Sequence, residues 1–293
     1  MKKDDKLRKY DASEERQYML NDEYEVYEKQ GAPTGALAYH YHNFYEIIYI
    51  VDGSFASQVG DTVHSLKKGD FLLIDKNNLH RYSYVEGKHD TSRRIILWIT
   101  DTMIRRLADE DVDLSLCFRE NGSQVYHFPI YYEELLRGFL MKLATSEILN
   151  DEAYTARKVL DRGYLSLFFG YLSELCKRKE YVFEGSEIAG EPVVDKVNEY
   201  IDAHIEEPIL IDDLAECVHM SKYYFVRRFK ELSGVTVHTY LINKRLIKAC
   251  ELMGDGEEIM QVYGKVGFSD YSAFLRNFKR AYGISPKQYL KQI

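Results

Sequence analysis

Apolar positions along this chain recur with two different periods, and the change of period divides it. From Leu37 to about Thr100 they fall in short runs rich in β-branched and aromatic residues. Phe44-Tyr45-Glu46-Ile47-Ile48-Tyr49-Ile50-Val51 stops at Asp52-Gly53, and Phe71-Leu72-Leu73-Ile74 stops at Asp75-Lys76-Asn77-Asn78. With no helical pattern between them, these runs predict an antiparallel sandwich or barrel. From Tyr131 the spacing becomes helical: Leu135, Phe139 and Leu143 lie four apart, then Leu165, Phe169 and Leu172 at four and three. Two helices are predicted, over 131–149 and 153–179. Residues 1–30 are polar and read as partly ordered at best.

The stretch 184–192, rich in Gly and acids and closed by Pro192, reads as a linker. Everything after it is helical, with helices expected over 193–206, 212–218, 221–232, 236–253, 257–264, 270–282 and 286–291. Gly234, Gly254-Asp255-Gly256 and Gly283 are expected helix stops. This region carries one pattern twice. Phe225-Val226-Arg227-Arg228-Phe229-Lys230 with Gly234-Val235 returns 49 residues later as Phe274-Leu275-Arg276-Asn277-Phe278-Lys279 with Gly283-Ile284. Leu214, Ala215, Val218 and Met220 return 48 residues later as Val262, Tyr263, Val266 and Phe268. The second copy therefore has one more residue in its turn.

Each copy ends in an amphipathic helix. In the first, Phe225, Phe229 and Leu232 share a face, while Tyr223, Arg227 and Lys230 lie opposite with Val226 on the flank. Ser221 is placed to cap it. In the second, Phe274, Phe278 and Ala281 are expected inward, and Ser272, Arg276 and Lys279 outward with Leu275 beside them; Ser269 or Asp270 can cap. Arginine pairs bidentately with guanine, and tyrosine, valine or leucine can touch a thymine methyl. A surface helix can be basic without binding anything, but two matching copies point to a protein reading two adjacent patches of nucleic acid.

Net charge of −8 argues against a bulk polyanion binder. Locally the sign reverses: Lys222, Arg227, Arg228, Lys230, Lys244, Arg245 and Lys248 fall within 27 positions whose only acid is Glu231. No apolar run is long enough to cross a bilayer, and the N-terminus has no signal-peptide pattern. Cys117, Cys176, Cys217 and Cys250 fit no zinc or disulfide spacing, so a reduced, cytoplasmic setting is expected.

Residues 193–293 closely resemble the paired helix-turn-helix domain of AraC/XylS-type transcriptional regulators. The resemblance is carried by Asp213-Leu214-Ala215, Met220-Ser221, Arg228-Phe229-Lys230, Gly234, Tyr240, Arg245-Leu246 and Ala249. It continues through Val266-Gly267-Phe268-Ser269-Asp270 and Phe274 to Arg280, and ends at Gly283-Ile284-Ser285-Pro286. It implies two recognition helices on one chain, joined by a long helix and entering successive major grooves. The DNA-contacting residues it implies are Tyr223, Val226, Arg227 and Lys230, then Tyr271, Ser272, Leu275, Arg276 and Lys279. Two departures stand out: Tyr263 replaces the small residue usual beside Val262, which is expected to shift packing in the second unit, and the helix before the second recognition helix carries Gly264.

Upstream, His40-x-His42-x3-Glu46-x6-Gly53 resembles the first cupin motif, and Gly69-x10-His80 has the spacing of the second, with Asp75 and Asn77 where Pro and Gly are usual. The resemblance implies that His40, His42, Glu46 and His80 converge in a small barrel, where they would bind an effector or, if occupied, a divalent metal. A scaffolding role stays open. Tyr39, Tyr49, Tyr82 and Trp98 are candidate aromatic walls.

The fold class expected is α+β: a cupin-like or jelly-roll-like β-barrel over 1–130, a helical dimerisation or packing segment over 131–183, the linker, and an all-α DNA-binding domain over 193–293. The function implied is sequence-specific regulation of transcription, as an activator answering a small-molecule effector, a carbohydrate among the candidates. Expected partners are double-stranded promoter or operator DNA, RNA polymerase and a second copy of the chain, with no membrane. No catalysis and no obligatory cofactor are expected; the alternative is a metal-dependent cupin enzyme with a DNA-binding tail.

Overall fold

A computed structural model describes residues 19, 21, 23–31, 40, 42–76, 78–83, 92–108, 111–119, 124–148, 156–183, 187–188, 193–282 and 285–290. The chain divides into two compact units, Met1–Glu187 and Ile188–Ile293. Its strands are β1 (Tyr24–Gln30), β2 (Tyr45–Asp52), β3 (Ser54–Val59), β4 (Thr62–Lys67), β5 (Asp70–Ile74), β6 (His80–Ser83), β7 (Arg93–Ile99), β8 (Gln124–His127) and β9 (Glu187–Ile188). They form a five-stranded sheet in the order β1-β7-β2-β5-β8 and a four-stranded sheet in the order β6-β3-β4-β9. Pairing is antiparallel, with Ile48 opposite both Leu72 and Ile96.

Why β2, β5 and β7 read as continuous apolar runs is now plain: both of their faces are covered. Ile48, Ile50, Leu72, Ile74, Ile96 and Trp98 pack toward Phe55, Val59, Leu66 and Tyr82 of the facing sheet. Tyr45, Ile47, Tyr49, Phe71, Leu73, Ile95 and Leu97 pack the other way, into the helices. Those helices are α1 (Asp101–Leu107), α2 (Leu116–Arg119), α3 (Ile130–Ile148) and α4 (Arg157–Cys176), followed by a 3-10 turn, Lys179–Tyr181. From α3, Leu136, Leu140 and Leu143 enter this core, and from α4, Leu165, Phe168, Phe169 and Leu172. The expected stripe Leu135-Phe139-Leu143 is thus rotated, Leu135 and Phe139 standing at its flank.

Three parts of the first unit depart from expectation. The polar N-terminal stretch contributes β1, an edge strand whose Val26 is buried opposite Leu97. Backbone pairing to β7 supplies what its composition does not. The helices α1 and α2 and strand β8 are too short to show a period; Thr100 caps α1 by accepting from the Met103 amide at 3.2 Å. Within the expected linker, Glu187–Ile188 is a strand, and the remainder of 184–192 lies outside the described residues.

The second unit holds α5 (Val193–Ala203), α6 (Ile211–Cys217), α7 (Lys222–Ser233), α8 (Val237–Gly254), α9 (Ile259–Lys265), α10 (Tyr271–Tyr282) and α11 (Pro286–Tyr289). Helix α7 stops at Gly234, whose φ of 71° is the left-handed conformation of a helix C-cap. Gly283 and Ile284 lie outside the described residues. Helix α8 is lined with polar groups turned inward. Tyr240 donates its hydroxyl to Asn198 Oδ1 at 2.8 Å, and Lys244 Nζ lies 2.8 Å from Asp202 Oδ1. Arg245 donates to the carbonyls of Gly267 and Glu207, each at 2.6 Å. Lys244 and Arg245 are therefore buried structural residues, which removes them from the basic stripe seen in the sequence.

The duplication extends to the backbone. His219 has φ 55° and Gly267, its counterpart 48 residues on, φ 77°. In each turn the next amide reaches back to a matching carbonyl: Met220 N to Ala215 O at 2.9 Å, Phe268 N to Tyr263 O at 3.0 Å. His219 is exposed in the first turn, whereas the second turn is closely packed at Gly267. A Cβ on Gly267 would stand 2.5 Å from the Ile205 carbonyl oxygen and 2.6 Å from an Arg245 nitrogen. Gly267→Ala is expected to cost about 2 kcal/mol or more, combining left-handed strain with overlap against backbone that cannot withdraw. In a urea titration of the full chain, an unchanged transition of the helical unit would refute this.

Candidate functional site

The recognition helix of the first unit is seated by Phe225 and Phe229, both fully buried, with the Phe229 ring 5.4 Å from that of Tyr240. This leaves Tyr223, Val226, Arg227 and Lys230 exposed together on the opposite side. Tyr223 is 89% exposed. Ser221 occupies the N-cap position as expected, yet its hydroxyl makes no capping bond, so the amides of the first turn keep their donors for an outside acceptor. Arg227 Nε lies 3.7 Å from Glu231, Arg228 3.8 Å from the same carboxylate, and the Arg227 guanidinium 5.8 Å from the Tyr224 ring. Tyr224, Arg228 and Glu231 thus form the immediate surroundings of Arg227. The periodicity that selected the outward face did not single them out as its neighbours.

In the second unit Phe274 and Phe278 play the seating role, and Ser272, Arg276 and Lys279 are exposed with Leu275 half-buried. Asp270 is the cap, its Oδ1 accepting from the Ala273 amide at 2.7 Å. Ala281, expected inward, is exposed; the helix core is closed instead by Tyr282 and Tyr289 against Phe278, at 4.6 and 5.6 Å. Tyr271 differs from its expected outward neighbours. Half-buried, its ring stands edge-on to Tyr263 at 5.7 Å. The bulky residue where the first unit has Ala215 gives the second recognition helix an edge-on aromatic partner at its start.

In the first unit His40, His42, Glu46 and His80 come together and are all buried. Only Glu46 lies in β2. His40 and His42 sit in the segment before it, and His40 is joined to His80 by a pair of backbone hydrogen bonds at 2.9 Å. One nitrogen of each imidazole lies within 4.8 Å of the others. His42 Nε2 and His80 Nε2 are each 3.1 Å from Glu46 Oε2, the latter off-line for a hydrogen bond. Burial alone would push the Glu46 carboxyl up, but the two imidazoles outweigh it and hold the group well below the usual carboxylate range. Burial likewise lowers His42.

The tautomers follow from the acceptors. His42 Nδ1 donates to the Phe44 carbonyl and His80 Nδ1 to the Asn78 carbonyl, each at 2.8 Å. A carbonyl can only accept, so both Nδ1 atoms carry protons. Neutral imidazoles would then turn bare Nε2 lone pairs toward a carboxylate, which is unfavourable in a dry site. Either a second proton or a cation resolves it, and Glu46 Oε1 has no hydrogen-bond partner among the described residues. The arrangement fits a divalent ion: nitrogen and carboxylate donors, with imidazoles oriented by backbone carbonyls.

Among the proposed aromatic walls, Tyr82 and Trp98 share the face of the cluster, with ring separations of 6.1 Å from His40 and 6.0 Å from His42. Tyr49 does not. It points into the helical side and donates its hydroxyl to Glu133, because its parity along β2 is opposite to that of Glu46. Tyr39 lies outside the described residues. Arg94, which the sequence did not single out, is buried against the rings of Phe55 and Tyr82 at 4.4 and 5.5 Å.

A two-sheet domain with a buried polar cluster, and a helical domain displaying two matched recognition helices, define a DNA-binding regulator with a sensor-type module. A family model described as an AraC-like ligand binding domain matches residues 24–100, and one described as a helix-turn-helix domain matches 214–292. The activator RhaR of Pectobacterium carotovorum is 26% identical over 93% of this chain and 92% of its own length. The regulatory protein PocR of Salmonella typhimurium is 32% identical, over a third of either chain. The TetD protein of transposon Tn10 from Escherichia coli is 33% identical over 33% of this chain and 71% of TetD. The chain belongs to the AraC family of transcriptional regulators, and its C-terminal domain binds DNA. No helix among the described residues is long and apolar enough to cross a membrane.

His64 offers a test of the first unit's electrostatics. It is buried in β4, and burial lowers its pKa to about 4. The unfolded chain binds that proton more readily, so its contribution to stability is complete above pH 6.5 and lost as pH falls toward 4. The loss is expected to reach about 3 kcal/mol at most. Replacing His64 with Gln should flatten urea-monitored stability over that window; an identical pH slope would contradict the assignment.

Proposed function

We propose that the chain is a one-component activator in which residues 1–130 sense a small molecule, 131–183 pair with a second copy, and 193–293 read a promoter. The observation that supports this best is the repeated helix-turn-helix geometry, in which α7 and α10 each seat two phenylalanines and turn an arginine to solvent. In this reading α7 contacts bases through Tyr223, Val226 and Arg227, and α10 through Ser272, Leu275 and Arg276, with Tyr271 at its start. Lys230 and Lys279 hold phosphates. The proteins named RhaR among its relatives are activators, which supports contact with RNA polymerase. A cytoplasmic location and a chain without a catalytic step go with the same reading.

The effector site is assigned to the polar cluster between the sheets, where His40, His42, Glu46 and His80 meet Tyr82 and Trp98. A hydroxylated molecule such as a carbohydrate suits donors and acceptors flanked by aromatic rings. Binding regulates only as far as it favours one arrangement of the protein over another. Pairing of two copies is supported by α4, where Leu160, Leu167 and Tyr171 stay 41 to 50% exposed on one side although the opposite side is fully packed. A second reading, carried by the tautomers around Glu46, is that the cluster holds a divalent metal, as a metal-dependent cupin enzyme would require.

Footprinting on DNA flanking the chain's own gene, with a panel of sugars, tests the first reading; no protected site at low salt in any condition would end it. Arg227→Ala is expected to lose about 1–3 kcal/mol and to relax preference at one base. Lys230→Ala should weaken all sequences alike and reduce the salt slope by about one unit. If Arg227→Ala keeps the wild-type ratio between cognate and mutated sites, its role as a base reader is wrong. Elemental analysis after dialysis against zinc, nickel or manganese decides the second reading. The wild type should retain a stoichiometric ion and His42→Ala should not; equal retention by both would exclude this cluster as the site.

A further inference from the structure

Arg245 lies on α8 between the two helix-turn-helix units and is bonded toward both. One terminal nitrogen donates at 2.6 Å to the carbonyl of Gly267, in the turn of the second unit. The other donates at 2.6 Å to the carbonyl of Glu207, in the segment that leads from α5 into the first unit. Ile205 in that same segment places its carbonyl oxygen where a side chain on Gly267 would stand. Two stretches of backbone, 205–207 and the turn at Gly267, therefore meet at one guanidinium carried by α8.

Neighbouring positions show that this arginine is an exception on its own stripe of the helix. Leu241 and Ala249, four residues to either side, are buried on the same stripe. Among the described residues no acidic side chain pairs with Arg245, and its Nε has no hydrogen-bond partner. An apolar side chain would fill such a stripe without burying a charge. What an apolar residue lacks is a planar fork that fixes two acceptors at a set separation. The Glu207 carbonyl follows the C-terminal end of α5, where the helix dipole is negative, which favours a cation there.

We infer that Arg245 is a positioning residue that sets the half-site spacing a single chain accepts on DNA. It touches no base; it holds the turn before α10 at a fixed place relative to the entry of α6 and α7. Two binding modules gain from being linked only when their separation matches that of their sites. A rigid link makes the match strict. The inference rests on both recognition helices reading DNA.

The test uses the full chain on its footprinted operator, on versions with one or two base pairs added or removed between half-sites, and on duplexes bearing one half-site. The wild type is expected to lose at least about tenfold in affinity on respacing. Arg245→Lys keeps the charge but not the fork. It should bind single half-sites as the wild type does, weaken by about tenfold on the natural spacing, and lose less than about threefold more on respacing. Far-UV circular dichroism shows whether it is folded. A folded Arg245→Lys that keeps the full wild-type spacing penalty overturns the inference. So does simultaneous protection of both half-sites by the wild type at altered spacing, a result that needs no variant. Failure of the wild type to bind the natural operator would instead sink the DNA-reading assignment itself.

Discussion

A buried guanidinium at Arg245 and the missing side chain at Gly267 constrain one another, and the arrangement of the DNA-binding unit depends on both. The glycine lets the turn between α9 and α10 approach the carbonyls that follow α5, and the arginine donates to acceptors that this approach would otherwise leave unmet. Beside them Lys244 reaches Asp202, and Tyr240 reaches Asn198, so α8 meets α5 along a row of polar contacts. Dispersion and apolar burial hold each small trihelical unit together, but they are non-directional. Directional bonds of this kind are what define how one unit stands relative to the other.

The first unit solves a different problem. Its central sheet is covered on both sides, by the facing sheet and by α3 and α4, so nearly every residue of β2 is committed to packing. Polar groups are left to the few positions where the interior admits them: Glu46 in β2, His40 and His42 in the segment before it, and His80 in β6 of the facing sheet. Their mutual burial makes each depend on its partners, since a carboxylate among imidazoles stays charged only while they remain.

The two recognition helices share a frame and differ in chemistry. In α7, Glu231 sits near both Arg227 and Arg228, within 3.7 and 3.8 Å. Its counterpart in α10 is Arg280, bonded to Asn277 at 2.6 Å, so a cation stands where the first helix has a carboxylate. Tyr263 gives α10 an aromatic neighbour at its N-terminal end that α7 does not have. The repeat is thus one architecture carrying two chemically unequal outward faces.

Much of this was legible in the chain itself. Periodicity located the central strands β2 and β5 and every long helix, because a face that must be buried imposes its spacing locally. The repeat of Phe-x-x-x-Phe with outward arginines marked both recognition helices for the same reason. Local patterns were blind to three things. An edge strand such as β1 needs little apolar content, short helices such as α1 and α2 hold less than a full repeat, and the partner of a polar side chain lies elsewhere in the chain. Hence Lys244 and Arg245 resembled DNA-facing cations although Arg245 occupies the stripe of Leu241 and Ala249, and Tyr49 resembled a pocket wall although its parity opposes that of Glu46. Composition and spacing determined which elements exist and which faces they bury. Only tertiary contact decided which buried polar groups meet, since hydrogen bonds depend on distances and angles that no linear spacing encodes.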